Sequence, residues 1–146
     1  MATGEGYWLV YADGASRGNP GPAAIGAVIF DDKNRERHRI SEAIGQATNN
    51  VAEYRAAIAS LEAALALGAR QVELRMDSEL VVRQLDARYR VRNPALKSLF
   101  TRMQELRWRF AAFRAVSIPR QENALADRLA NQALDRPFDS AQDKPG

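Results

Sequence analysis

Residues 7–30 read YWLVYADGASRGNPGPAAIGAVIF, and how this stretch folds decides the architecture of the chain. Its first part, Tyr7-Trp8-Leu9-Val10-Tyr11-Ala12, is aromatic and branched, the composition of a buried strand, and Asp13-Gly14 is expected to end it. Ala15 to Pro22 is dense in turn residues and reads as a loop. Ala24-Ile25-Gly26-Ala27-Val28-Ile29-Phe30 reads as a second strand, and Asp31 to Asn34 as a hairpin turn. Glu36 to Ile44 alternates loosely and is expected to pair back as a third strand, which completes an antiparallel meander.

Beyond the meander, a polar stretch from Gly45 to Asn50 leads into apolar residues at spacings of three and four. Ala52, Ala56, Ala59, Ala63 and Leu67 recur, widened by Ile58, Leu61 and Leu65, which predicts a helix over Val51 to Leu67 with Gly68 just past its end. Gln71 to Met76 predicts a short strand ending at Asp77, and Ser78 the N-cap of a second helix reaching about Asp86. A basic linker, Ala87 to Asn93, leads to Asn93-Pro94, a cap followed by proline at the first helical position, and a third helix to about Phe110. Phe113 to Ile118 is expected as the last strand, Pro119 to Asn123 as a loop and Ala124 to Leu134 as the last helix. Helices between the later strands imply parallel crossovers added to the meander. The expected fold class is therefore α/β, a five-stranded mixed sheet with helices on both faces. One domain is expected over residues 1–135, with a polar tail over 136–146, which carries two prolines, expected to be disordered.

Composition narrows the chemistry. The chain has no cysteine and a single histidine, His38, which rules out thiolate metal sites and cysteine nucleophiles and leaves little room for histidine-based catalysis. It has no apolar run long enough to span a membrane, and Met1 to Gly6 shows no basic segment followed by an apolar one, so a cytoplasmic protein is expected. The net charge of +3 conceals an asymmetry: residues 83–120 hold 10 basic and 2 acidic side chains, whereas residues 1–82 hold 8 and 11. Such a basic segment suits a polyanion, nucleic acid first, although arginines at helical spacing also occur on ordinary solvated faces.

Four acids stand where elements begin or end: Asp13, Glu53, Asp77 and Asp127. Each has an ordinary structural explanation, as a turn residue, a helix-dipole partner, a neighbour of a cap or a surface ion pair. Together they suit hard, oxygen-ligated cations such as Mg²⁺ or Mn²⁺, since gathered carboxylates repel one another unless a cation holds them. Two such ions roughly 4 Å apart can bind the attacking water and the leaving oxygen of a phosphodiester.

Four segments carry a family resemblance: Tyr11-Ala12-Asp13-Gly14-Ala15-Ser16-Arg17-Gly18-Asn19-Pro20-Gly21, Thr48-Asn49-Asn50-Val51-Ala52-Glu53-Tyr54, Met76-Asp77-Ser78-Glu79-Leu80-Val81, and Glu122-Asn123-Ala124-Leu125-Ala126-Asp127-Arg128-Leu129-Ala130. In this order, each supplying one acid, they resemble type 1 ribonuclease H over about residues 6–135. The resemblance implies a ribonuclease H-like fold and an endonuclease that cuts the RNA strand of an RNA–DNA hybrid, leaving 5′-phosphate and 3′-hydroxyl ends. It implies two Mg²⁺ ions, with Mn²⁺ as an alternative, held by Asp13, Glu53, Asp77 and Asp127, with Asp13 and Asp77 central. It also implies a monomer. Gly14, Ala15, Ser16 and Asn19 match positions that contact the RNA strand; Asn49 and Asn50 match a pair that straddles the minor groove, or cap the helix. Thr48 matches a residue that holds a DNA-strand phosphate, and Ser78, beside the third acid, joins the expected substrate contacts. Glycines in the first motif would let backbone approach the groove closely, and Glu53 resembles the residue that also reaches the 2′-hydroxyl, the group that marks RNA.

Two features depart from the family pattern. The basic protrusion of many members is missing between Ser78 and Leu96, as in a compact subgroup, and Arg88 and Arg90, with Arg92 and Tyr89, are expected to substitute for it. The loop before the last acid has Arg120 near the place of a family histidine; arginine stays protonated and cannot act as a base, so it is expected to bind phosphate. His38 is expected to be an exposed sheet residue without a catalytic part. Competing readings are cleavage of double-stranded RNA as well, a resolvase or transposase core, a hybrid-binding module that does not cut, and a basic α/β domain for another anion. The Thr48–Tyr54 segment and the short length count against the second, and the presence of all four acids against the third.

Overall fold

The first strand runs further than its composition suggests. In the computed structural model, which describes residues 6–86 and 90–136, β1 spans Tyr7–Ser16 and β2 spans Gly21–Phe30. The expected loop from Ala15 to Pro22 thus shrinks to residues 17–20, closed by the Arg17 amide donating to the Pro22 carbonyl at 2.8 Å. Gly14, Ala15 and Ser16 pair in register with Ile25, Ala24 and Ala23. These small residues read as a loop, yet they form a ladder that leaves room for a helix to lie on it. Gly18, at φ +125°, occupies backbone that L side chains rarely adopt, which makes the tight turn possible.

β3 (Glu36–Ala47) completes the antiparallel meander, with His38 exposed on it. β4 (Gln71–Met76) pairs parallel to β1, and β5 (Ala112–Ser117) parallel to β4, giving the order β3-β2-β1-β4-β5. The helices are α1 (Asn49–Ala66), α2 (Glu79–Leu85), α3 (Pro94–Arg107) and α4 (Ala124–Asp135), with a 3₁₀ turn at Arg120–Asn123 where a loop was expected. The fold class, a five-stranded mixed sheet with helices, is the one the sequence predicts. No helix among the described residues is long and apolar enough to cross a membrane.

The main core lies between the sheet and α1–α3. Val10 and Ala12 of β1, Val72, Leu74 and Met76 of β4, and Leu61, Leu85, Met103 and Leu106 of the helices are buried together, each large aliphatic side chain contributing about 1.5–3 kcal/mol through burial. Within it the Tyr54 hydroxyl donates to Gln84 at 2.5 Å, so a polar group is buried with a partner. A thinner layer forms beneath α4, whose buried Ala126, Leu129, Ala130 and Ala133 form one stripe. A Cβ on Gly26 of β2 would collide with the Ala126 carbonyl, so glycine there lets α4 sit directly on the strand.

Candidate active site

The sheet register brings the acids together. β1 and β4 pair with Tyr11 beside Arg75; two residues further along each strand come Asp13 and Asp77. Asp13 does not close its strand as expected. It lies inside β1, 5% exposed, opposite Gly26. Asp77 does follow the last residue of its strand. Glu53 lies in the second turn of α1, not the first, because Thr48 caps the helix and it begins at Asn49. Its Oε1 accepts the Gly14 amide at 2.8 Å, and a Cβ on Gly14 would collide with the backbone of Ala52 and Glu53. The glycine is thus explained first by helix packing, not by approach to a groove. Carboxylate oxygens of Asp13, Glu53 and Asp77 all lie within 4.8 Å of one another. Asp127, in the first turn of α4, lines the same cavity of about 360 Å³, as do Arg120 and Arg17.

This gathering has an electrostatic consequence. Burial first, then the charges of Glu53, Asp77 and Asp127, push the Asp13 carboxyl up to about 10. Glu53 is pushed up to about 7, mainly by burial, against the opposing effect of the Gly14 amide. A cation reverses this balance by favouring the charged forms. An all-oxygen donor set of this kind fits Mg²⁺ or Mn²⁺ and does not fit a soft metal.

The sequence pattern of the reverse transcriptase-like family matches residues 11–133. Ribonuclease HI of Halobacterium salinarum is 46% identical over 86% of this chain and 63% of its own length. The crystal structure of ribonuclease H1 from that archaeon superposes with a TM-score of 0.86 at 45% identity, covering 88% of this chain and 98% of that one. The chain belongs to the type 1 ribonuclease H family. The compact form without a basic protrusion fits as well. A bifunctional protein of Mycobacterium tuberculosis is 46% identical over 91% of this chain, which spans only 37% of that protein. Its N-terminal RNase H domain superposes with a TM-score of 0.86 at 45% identity, over 88% of this chain and 99% of the domain. LC11-RNase H1, isolated from compost and solved in complex with an RNA/DNA hybrid, gives a TM-score of 0.83 at 45% identity, over 88% of this chain and 96% of that one.

The other residues singled out in this ribonuclease H domain divide into two groups. Gly14, Ala15, Ser16 and Asn49 line the carboxylate cavity. Asn49 does not cap α1: its Oδ1 accepts the Ser16 amide at 3.1 Å, and its own amide donates to Asn19 Oδ1 at 3.0 Å, which ties the β1–β2 turn to the helix. Thr48, Asn50, Ser78 and Arg90 are not among the cavity's lining residues. The Thr48 and Ser78 hydroxyls cap helices, accepting from Val51 at 3.2 Å and Val81 at 3.3 Å, while Asn50 and Arg90 are exposed. Arg88 and Tyr89 lie outside the described residues, as does the tail beyond Arg136. Arg136 itself is tied to β3, donating to the Ser41 carbonyl at 3.0 Å and to its hydroxyl at 2.8 Å.

Three supporting residues escaped the sequence reading. Asn123, 1% exposed at the end of the 3₁₀ turn, donates to the Ala12 carbonyl at 2.9 Å and to Asp77 at 3.3 Å. Asn131 donates to the Asp127 carboxylate at 3.2 Å and to its carbonyl at 3.0 Å. Arg17 in turn donates to Asn131 at 3.3 Å and pairs with Asp135 at 2.7 Å, which fastens the β1–β2 turn to α4. Only Asn131 had a legible signal, since it stands one helical turn after Asp127.

Proposed function

We propose that this domain is an endoribonuclease that hydrolyses the RNA strand of RNA–DNA hybrids as a monomer, using two Mg²⁺ ions for which Mn²⁺ can substitute, and that it leaves 5′-phosphate and 3′-hydroxyl ends. The observation that carries this reading is the convergence of Asp13, Glu53 and Asp77 within 4.8 Å, with Asp127 on the same cavity. These four carboxylates would hold the ions. Bound there, the ions supply Lewis-acid charge that makes water nucleophilic and stabilises the departing oxygen.

The remaining roles fall to the chain's own groups. Ala15, Ser16 and Asn49 form a polar rim beside the acids, where amide and hydroxyl groups can meet 2′-hydroxyls across a wide minor groove. Asn19 holds Asn49 in place. Gly14 contributes its backbone, Asn50 joins Asn49 at the groove, and Thr48, Ser78, Arg88 and Arg90 would act on the duplex backbone. Arg120, in the cavity lining, offers a permanently charged guanidinium to a phosphate and takes no proton. The solved hybrid complex of LC11-RNase H1, 45% identical, supports the substrate class. The short connection from α2 at Leu85 to the α3 cap at Asn93 removes the family's extra grip on the DNA strand, which favours some cleavage of double-stranded RNA as well.

The test is to offer matched RNA–DNA, RNA–RNA and DNA–DNA duplexes with Mg²⁺, Mn²⁺ or EDTA and to map the product ends. Metal-dependent cutting of the hybrid's RNA strand with 5′-phosphate ends is expected. Cutting that survives EDTA, or a hybrid that is bound and left whole, overturns the proposal.

A further inference from the structure

At the end of the sheet remote from the carboxylates, Trp108 is 80% exposed, the one large hydrophobic side chain so placed among the described residues. It follows the last residue of α3 and borders a surface cavity of about 430 Å³ lined by Ala69, Arg70, Trp108, Arg109, Phe110 and Ala111. The Ala111 amide donates to the Arg70 carbonyl at 2.8 Å, which fixes the two sides of this cavity against each other. The Arg107 guanidinium lies 5.9 Å from the Trp108 ring centre and 5.0 Å from that of Phe113, and is anchored by the Leu85 carbonyl at 2.7 Å. Arg70, Arg107 and Arg109 form no ion pair with any described carboxylate; the nearby Glu105 pairs with Arg102. The patch therefore joins an exposed aromatic ring to three positive charges that pair with no carboxylate among the described residues. Arg70 immediately precedes β4 and Asp77 immediately follows it, so six strand residues, roughly 20 Å at ~3.3 Å each, separate the patch from the acids.

Beside the exposed Trp108 ring, Arg70 and Arg109 line the same cavity together with small Ala69 and Ala111, and the Arg107 guanidinium lies near the ring. Cations, and no other exposed large apolar side chain among the described residues, therefore flank the indole. A flat indole face beside cations suits an unstacked base with its flanking phosphates. We propose that Trp108, Arg70, Arg107 and Arg109 form a second nucleic-acid site that binds single strands, such as the unpaired tail that continues from a duplex. The site works without metal and without the carboxylates, so its failure and the failure of the cleavage reading are separately visible.

The test titrates an oligothymidylate of about 12 nucleotides, within known single-strand site sizes, into the metal-free protein. Tryptophan emission and the anisotropy of labelled oligonucleotide are both followed. Trp8, the other tryptophan, is 9% exposed and supplies a constant background. Saturable quenching that weakens with salt is expected. Trp108→Ala should weaken binding by about 5- to 100-fold, the worth of one stacked base, and Trp108→Phe should restore most of it. Arg70→Ala with Arg109→Ala should flatten the salt slope by about 1.4, or ~0.7 for each phosphate no longer neutralised. A single-stranded tail on a hybrid should lower KM for the parent protein and not for Trp108→Ala, with blunt hybrid cut equally by both. Unchanged tryptophan emission, equal affinity of Trp108→Ala, or equal quenching by polyglutamate of the same length would overturn the proposal.

Discussion

Two aspartates of the β1–β2 region, Asp13 and Asp31, are almost equally buried, at 5% and 3% exposure, and are treated in opposite ways. Asp31, in the β2–β3 turn, accepts the Lys33 and Arg35 amides, each at 2.9 Å, and the Arg35 guanidinium at 3.0 Å. These donors, the Arg35 amide foremost, hold its carboxyl at about 2. Asp13 has no such donors among the described residues: burial first, then the acids it faces, push its carboxyl up to about 10. Burial raises both carboxyl groups; at Asp31 hydrogen-bond donors outweigh it, whereas at Asp13 the neighbouring acids add to it. One aspartate is satisfied by the fold. The other is satisfied only by something the fold does not supply, which is the mark of a binding site.

Exchanging the chemistry of the two positions should give opposite results. Asp13→Asn should lower hybrid cleavage by at least ~100-fold, the order associated with losing one electrostatic stabiliser at a reacting centre, while the metal-free protein melts no lower than the parent. Asp31→Asn should keep normal cleavage and lower the melting temperature by a few degrees. Rate assays and thermal melts on the same two proteins check both, and parallel behaviour would dissolve the distinction. A smaller effect is expected from the residues that hold the acids in place. Asn131→Ala frees the Asp127 carboxylate, so metal affinity measured by calorimetric titration should fall about 10- to 100-fold with folding intact. Arg120→Ala should reduce kcat about tenfold, the worth of one charge-assisted hydrogen bond, with little change in hybrid affinity. Equal loss of both would make Arg120 a simple binding residue.

The pH dependence of stability should show the same contrast at the smallest scale. In EDTA, Glu53 and Asp13 have folded-state values raised above their unfolded ones, so the folded state binds more protons. Their stabilising effect is complete below about pH 4 and is lost as pH rises towards 7 for Glu53 and 10 for Asp13. Asp31 has the opposite sign: its contribution is present above its unfolded value of 3.8 and is lost as pH falls towards 2. Melting temperature against pH should therefore decline on both sides of the mildly acidic range. Mg²⁺ should abolish the alkaline decline alone, and a decline that Mg²⁺ leaves unchanged would contradict the assignment.

Much of this was legible in the chain. The order of strands and helices followed from hydrophobic period and turn residues, and the acids stood out through their four motifs. The ends of β1 and β2 were not legible, because Ala15, Ser16 and Gly21 read as loop residues while they pair across the sheet, Ala15 and Ser16 with β2 and Gly21 with β3. The helix start shifted for a similar reason, since Thr48 and not Asn49 or Asn50 provides the cap. Asn123 and Arg17 act on partners 46 and 114 residues away in sequence, and nothing local announces such contacts.

The central claim, that these carboxylates are the cutting machinery and not the binding surface, is tested most directly with Asp77→Asn. Hybrid affinity by anisotropy and single-turnover cleavage in Mg²⁺ would be measured on the variant and the parent. The account predicts near-parental binding and no detectable cleavage, because one charge fewer eases the repulsion among the acids while the metal site loses a ligand. Normal turnover by Asp77→Asn would contradict it.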